Sequence, residues 1–131
     1  MHYNYDRSFK FKINSDSWEC YLVTDEELKE LDAQEGNDLE DHLDDDDNDD
    51  APAMILTQKK CLLICEGCIR KDIVAHELFH IMVEYFYTGS ANLTVDQFEE
   101  VVANFLEQRL DYFVRTRNSL YKRFKRLEGE T

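Results

Sequence analysis

Two histidines and a glutamate stand together in an apolar stretch near the middle of the chain. Residues 73–82 read IVAHELFHIM, in which His76, Glu77 and His80 form the pattern H-E-x-x-H. On an α-helix the two histidines lie one turn apart on the same face, so both imidazoles can reach one metal ion. Neutral imidazole suits zinc, and two histidines leave room for one more protein ligand and a water molecule.

Glu77 is the candidate general base of such a site. It follows the first histidine and lies about 100° around the helix, where its carboxylate can take a proton from an activated water instead of ligating the metal. It is the only Asp, Glu, Lys or Arg in residues 73–83. Because an unpaired buried carboxylate is costly, a metal site would explain its presence. The alternative interpretation is a buried helix that contains two histidines by chance.

The four cysteines allow two interpretations. Cys61, Cys65 and Cys68 form C-x3-C-x2-C, and only the distant Cys20 would complete a four-thiolate metal site. The favoured interpretation is that they are reduced thiols packed in the core of a cytoplasmic protein. The first residues show no basic or apolar region of a secretory signal, and no apolar run approaches the ~20 residues of a membrane span.

Charge is distributed very unevenly along the chain. The net charge is −14, and residues 38–50 contain nine acids and no Lys or Arg. The segment 34–52 is therefore expected to be a mobile acidic loop, either a solvated linker or a surface for a basic, nucleic-acid-binding protein partner. Residues 109–126 contain seven Lys or Arg residues and one acid. The overall acidity counts against nucleic-acid binding by this basic end.

Local patterns predict the strands that must support the motif. Residues 9–13 alternate apolar and basic side chains, as in a half-buried strand, and residues 18–23 predict a second strand. The polar turn between them predicts a β-hairpin. Residues 54–57 and 60–65 predict two further strands before the motif.

Capping boxes predict the start of two helices. Thr24 with Glu27 begins a short helix, and Thr94 with Gln97 begins the helix that follows the motif. The motif helix is expected at about residues 68–87, and its nearly continuous apolar surface predicts a central, buried position.

The last part of the chain predicts one long helix and a short basic one. Asn118 and Ser119 are expected to break the helix before residues 120–127. The element order predicts a single α+β domain over residues 1–131, with a small, mostly antiparallel sheet backed by the motif helix and a long C-terminal helix. The residues with helical spacing after Thr94 are Phe98, Val102, Phe105, Leu106, Leu110 and Phe113.

With these elements placed, the chain resembles the minimal zincin-like metallopeptidases, particularly the small ones common in bacteriophages and mobile elements. The resemblance rests on the Trp-containing strand 18–23, the strand 61–65 before the motif, the motif itself, and a following helix with early acids and the later pair Leu106 and Leu110. It covers most of the chain apart from the acidic segment.

The resemblance implies a third zinc ligand on the helix after the motif. In the Glu-type zincins, to which thermolysin also belongs, a glutamate from that helix joins the two histidines. Glu100 lies at the thermolysin-like interval of twenty residues after His80 and is favoured, with Asn104 one turn later as support for a ligating histidine. Helical phase favours Glu99 instead, and both acids could simply complement the helix dipole.

The chemistry implied is hydrolysis of a peptide bond in a protein partner. Zinc would polarise the carbonyl, and Glu77 would take a proton from water and pass it to the leaving nitrogen. Tyr85, Tyr87, Tyr112 and Arg109 are candidate donors to the oxyanion. The alternative is a zincin-fold binding protein with weak or no catalysis, which engages a basic partner through its acidic loop.

Overall fold

The sheet consists of two hairpins joined by a parallel pairing. A computed structural model describes residues 3, 5–13, 15–35, 52–86 and 94–129. The strand order is β1-β2-β4-β3, with β1–β2 and β3–β4 antiparallel and β2–β4 parallel. The predicted α+β class is therefore confirmed. The strands are β1 Ser8–Ile13, β2 Asp16–Val23, β3 Ala53–Leu56 and β4 Cys61–Cys65.

Helix α1 covers one face of the sheet. It runs Asp25–Glu35, and the predicted capping box is present: the Glu27 amide donates to Thr24 Oγ1 over 3.1 Å, and the Thr24 amide donates to Glu27 Oε1 over 2.9 Å. Leu28 and Leu31 are buried with the side chains of β2, β3 and β4 that point to this face. Because α1 continues to Glu35, the first two residues of the predicted acidic loop are helical, and residues 36–51 lie outside the described chain.

Helix α2 carries the H-E-x-x-H motif and packs on the opposite face. It runs Lys71–Phe86 and begins three residues later than predicted, because a turn follows β4. The helix is not buried all round as expected. Its buried residues share one stripe and leave the histidine side exposed; they are Val74, Leu78, Ile81 and Met82.

Helices α3 and α4 meet at Arg109. Helix α3 runs Val95–Gln108 from the predicted Thr94–Gln97 capping box, and α4 runs Leu110–Gly129. The Arg109 amide donates to the Phe105 carbonyl over 2.9 Å, and with φ −126° and ψ 2° Arg109 then turns the chain into α4.

The predicted break at Asn118 and Ser119 is wrong, since α4 continues through both residues. Leu120 and Phe124 are one turn apart and fully or almost fully buried against the sheet. Burying this pair requires continuous helix, and that gain outweighs the weak helix propensity of Asn and Ser.

Helical spacing in α3 does not translate into a buried stripe. Phe105 is its buried residue, whereas Val95, Phe98 and Leu106 are 74%, 51% and 55% exposed. At the start of α4, Leu110 is 41% exposed. Helix α3 thus attaches through one narrow face and presents apolar surface to solvent.

Across the described residues, no helix has both the length and the apolar character needed to cross a membrane.

Replacement of Ser119 tests the continuity of α4. A proline in a helix interior removes a hydrogen bond and clashes with the preceding turn, so Ser119→Pro is expected to lower the free energy of unfolding by about 3 kcal/mol or more. Ser119→Ala is the matched control and is expected to be neutral or slightly stabilising, because Ser119 is exposed. Urea denaturation measures both. A proline tolerated as well as alanine would instead place a helix break at this position.

Candidate metal centre on helix α2

The two motif histidines face each other on the outer side of α2. Their Nε2 atoms are 3.2 Å apart, and the ring planes are inclined by 72°. At about 100° per residue, His76 and His80 lie on the side of the helix opposite Val74 and Leu78, which point into the core. Both rings are exposed, so a ligand can approach them from solvent.

The separation of the two nitrogens fits zinc ligation. Two Zn–N bonds of about 2.0–2.1 Å at a tetrahedral angle place the nitrogens roughly 3.3 Å apart. The 3.2 Å between the Nε2 atoms of His76 and His80 agrees with this value without a change of rotamer. The same separation also suits a hydrogen bond between two neutral imidazoles. The pair can therefore supply two of the ligands of a zinc ion.

The protonation of His80 favours its use as a ligand. Partial burial lowers the pKa of His80, and a positive charge on the neighbouring His76 lowers it further. A lowered pKa keeps the imidazole neutral at neutral pH, which is the form that binds a metal.

Glu77 lies between the exposed histidine side and the buried stripe of α2. Its side chain is partly buried, and this burial raises the pKa of Glu77, while the charge of His76 acts in the opposite direction. A carboxylate is a better proton acceptor when its pKa is higher, so the shift is in the direction that a general base requires.

An aromatic triangle fixes the motif helix against the last two helices. The ring centroid of Phe79, inside the motif, lies 5.0 Å from that of Phe105 of α3 and 6.4 Å from that of Phe113 of α4. The centroids of Phe105 and Phe113 are 5.5 Å apart. All three contacts are edge-to-face, the geometry that aromatic pairs favour. The sequence analysis did not predict this role of Phe79. The feature that could have indicated it is the pair Phe105 and Phe113, eight residues apart on the segment that follows the motif.

The predicted third ligand does not join the histidines in this structure. Glu99 and Glu100 both have exposed side chains, and Asn104 is partly buried one turn further along α3. Among the described residues, no group of three or more His, Cys, Asp or Glu side chains is arranged to hold a metal ion. The histidine pair and Glu77 are assembled by α2 alone, and the assignment of Glu100 or Glu99 stays a prediction.

The structure describes two of the four candidate oxyanion donors, Tyr112 and Arg109. The Tyr112 hydroxyl donates to the Lys12 carbonyl over 3.5 Å at the edge of the sheet, and Arg109 lies at the junction of α3 and α4. The side chain of Tyr85 and all of Tyr87 lie outside the described residues.

The cysteines are free thiols in the described chain. Cys20 and Cys61 are completely buried, Cys65 is 6% exposed, and Cys68 is partly exposed. The four do not form a metal-binding group where the chain is described. Their burial agrees with the structural interpretation, except at the turn that holds Cys65 and Cys68.

Comparison with known proteins adds no family to this picture. No protein-family model, curated protein or solved structure matches the chain. A function for this chain is therefore inferred from the geometry of α2 and of the residues around it.

Zinc titration tests the histidine pair. Zinc binding in small sites is worth roughly 10–16 kcal/mol shared among the ligands, so loss of one imidazole is expected to weaken affinity by about a hundredfold or more. His76→Ala and His80→Ala should both show this loss in a competition assay with a chromophoric chelator. Glu84→Gln, at an exposed position on the same helix, should leave the affinity unchanged. Full zinc affinity in His76→Ala would place the metal elsewhere.

Separate alanine variants of Glu99 and Glu100 identify the third ligand. Replacement of the true ligand should weaken zinc binding as strongly as loss of a histidine does. Replacement of the other acid should have little effect on zinc affinity. Asp96→Ala is a control for the helix dipole alone, because Asp96 lies in the first turn of α3 and its charge is worth about 0.3–1 kcal/mol of stability. Unchanged zinc affinity in both glutamate variants would remove the Glu-type assignment.

Proposed function

We propose that this protein is a zinc-dependent metallopeptidase that hydrolyses a peptide bond in a cytoplasmic protein partner. The observation that carries the proposal is the 3.2 Å separation of the His76 and His80 Nε2 atoms beside a glutamate whose pKa is raised by burial. The separation suits two ligands of one zinc ion, and the shift at Glu77 is in the direction that a general base requires.

Three residues of this chain would hold the metal. His76 and His80 supply two ligands, and Glu100, or alternatively Glu99, supplies the third. Zinc bound there supplies a Lewis acid that activates water and polarises the scissile carbonyl. The triangle around Phe79 packs α2 against α4 and against α3, the helix that carries both glutamates.

Glu77 moves the proton in this proposal. Its carboxylate accepts a proton from the attacking water and then donates it to the nitrogen of the leaving amine. Its partly buried position makes the charged carboxylate less favourable than it would be in solvent and therefore makes it a stronger base. The substrate approaches the exposed side of α2, opposite the core.

A second candidate function has one observation in its favour. Because no third ligand lies beside the histidine pair in the described chain, the domain also suits a binding protein with weak or no catalysis. In that role the nine acids of residues 38–50 would engage a basic, nucleic-acid-binding protein. A zinc-loaded protein that cleaves no member of a broad peptide library would favour this function.

Glu77→Gln tests the proposed chemistry. The amide cannot accept the proton of water, so hydrolysis of a library-derived peptide is expected to fall by about a hundredfold or more, with zinc affinity retained. Glu84→Gln should retain full activity. Unchanged hydrolysis in Glu77→Gln would assign the activity to another base or to a contaminating protease.

The same variant has a stability readout that does not depend on activity. The folded-state pKa of Glu77 is above its ordinary value of 4.5, so the folded protein binds more protons and loses stability as pH rises through this range. Metal-free Glu77→Gln is therefore expected to be more stable than the wild type at pH 7. The advantage should disappear as pH falls below the unfolded-state pKa. Urea denaturation at pH 7 and pH 4, with Glu84→Gln as control, measures this difference.

A further inference from the structure

The turn between β4 and α2 brings two thiols together. Cys65 ends β4, Glu66 and Gly67 form the turn, and the Cys68 amide donates to the Cys65 carbonyl over 3.0 Å. Gly67 has a φ of +83°, whereas Glu66 does not have a positive φ. This combination defines a type II β-turn, which requires a left-handed third residue and favours glycine there.

The turn geometry matches that of a disulfide. The first and fourth Cα atoms of a β-turn are less than about 7 Å apart, and disulfides usually span roughly 4.4–6.8 Å. The Cys68 side chain lies close enough to the Cys65 thiol to raise its pKa. Closure of a bond between their Sγ atoms therefore requires little movement of the backbone.

Three other parts of the chain hold the turn in place. Glu128 of α4 accepts the Gly67 amide over 2.8 Å, and Arg7 contacts the Glu66 carboxylate over 2.7 Å. The Glu66 amide donates to the Val23 carbonyl at the end of β2 over 2.8 Å. The two thiols are thus positioned by the fold and not by the four-residue sequence alone.

The two cysteines differ in accessibility, and this difference suggests an order of reaction. Cys68 is partly exposed, whereas Cys65 is 6% exposed. Burial is the main cause that raises the pKa of Cys65 to about 11, and the neighbouring Cys68, Asp25 and Glu66 contribute the rest. Cys65 is therefore the slower nucleophile at neutral pH, and an incoming reagent meets Cys68 first.

We propose that Cys65 and Cys68 form a reversible dithiol–disulfide site that is oxidised by low-molecular-weight disulfides. The Cys68 thiolate attacks one sulfur of the reagent and forms a mixed disulfide, and the first reagent thiol leaves. Cys65 then loses its proton and attacks Cys68 Sγ, which forms the intrachain bond and releases the second reagent thiol. Two protein thiols are oxidised and one reagent disulfide is reduced to two thiols.

The site is separate from the proposed zinc centre. Helix α2 begins at Lys71, three residues after Cys68, and the motif histidines follow one turn and more beyond that point. The bond would connect the end of the central strand β4 directly to the segment that enters the motif helix. The inference does not depend on peptidase activity.

Oxidation of the folded, metal-free full chain by glutathione disulfide tests the proposal. The expected product has lost two hydrogens by intact-mass spectrometry and, after unfolding, is alkylated at two cysteines instead of four. Cys68→Ser should remain fully reduced, and Cys65→Ser should stop at the mixed disulfide with one glutathione attached. Cys61→Ser is the matched control from the same strand and should still form the intrachain bond.

Gly67→Ala tests the role of the turn. A Cβ at this position meets no atom within 4 Å, so the change removes only the left-handed conformational freedom. Alanine in this conformation is strained, and intrachain closure from the mixed disulfide is expected to slow by about tenfold. In the wild type, closure should accelerate as pH rises from 7 to 9, because more Cys65 becomes thiolate.

Three results would overturn the proposal. The wild type could accumulate only the mixed disulfide, Cys61→Ser could abolish the intrachain bond, or Cys68→Ser could still lose two hydrogens. The last two would assign the bond to a different pair of cysteines. All these readouts are masses of the protein itself, so they remain informative if the proposed peptidase activity is absent.

Discussion

The parallel pairing of β2 with β4 is the constraint on which the rest of the structure depends. It joins two antiparallel hairpins, in register from Glu19 opposite Cys61 to Val23 opposite Cys65. All five residues of β4 are buried, so this central strand must be covered on both faces. Helix α1 covers one face, and α2 and α4 cover the other. The motif helix is therefore positioned by a strand that contributes no residue to the proposed chemistry.

This arrangement gives the motif helix two unlike sides. Its core side supplies the apolar contacts that fix α2, and its outer side leaves His76 and His80 open to solvent. Glu77 lies at the boundary, where its carboxylate is partly desolvated and its pKa is raised. In the proposed function, a ligand or substrate would reach the imidazoles without displacing the core, and the partial burial of Glu77 would strengthen it as a base.

Local signals predicted those parts of the fold that local energetics decide. The two capping boxes, the hairpin strands and the motif helix depend on hydrogen bonds or alternation within a few residues, and the structure contains them. The break at Arg109 and the continuity of α4 at Ser119 depend on tertiary contacts. Burial of Leu120 and Phe124 keeps α4 helical through Asn118 and Ser119, although the helix propensities of these two residues predict a break. The parallel pairing is likewise non-local, because residues 24–60 separate β2 from β4 in the chain.

The identity of the third ligand likewise depends on non-local contacts. Helix α3 is buried through Phe105 and leaves Phe98 and Leu106 exposed, so its rotation about that contact is set by tertiary packing and not by its own periodicity. At about 100° per residue, Glu99 shares a face with Leu106, whereas Glu100 shares one with Asn104. A contact between α2 and the Leu106 face would bring Glu99 toward the histidines, and a contact through the Asn104 face would bring Glu100. In this structure α3 meets Phe79 of the motif helix through Phe105, and at about 100° per residue Glu99 and Glu100 lie about 120° and 140° around α3 from that contact. Neither acid is therefore favoured by the contact that packs α3, and the choice between them depends on tertiary packing at the histidine side of α2.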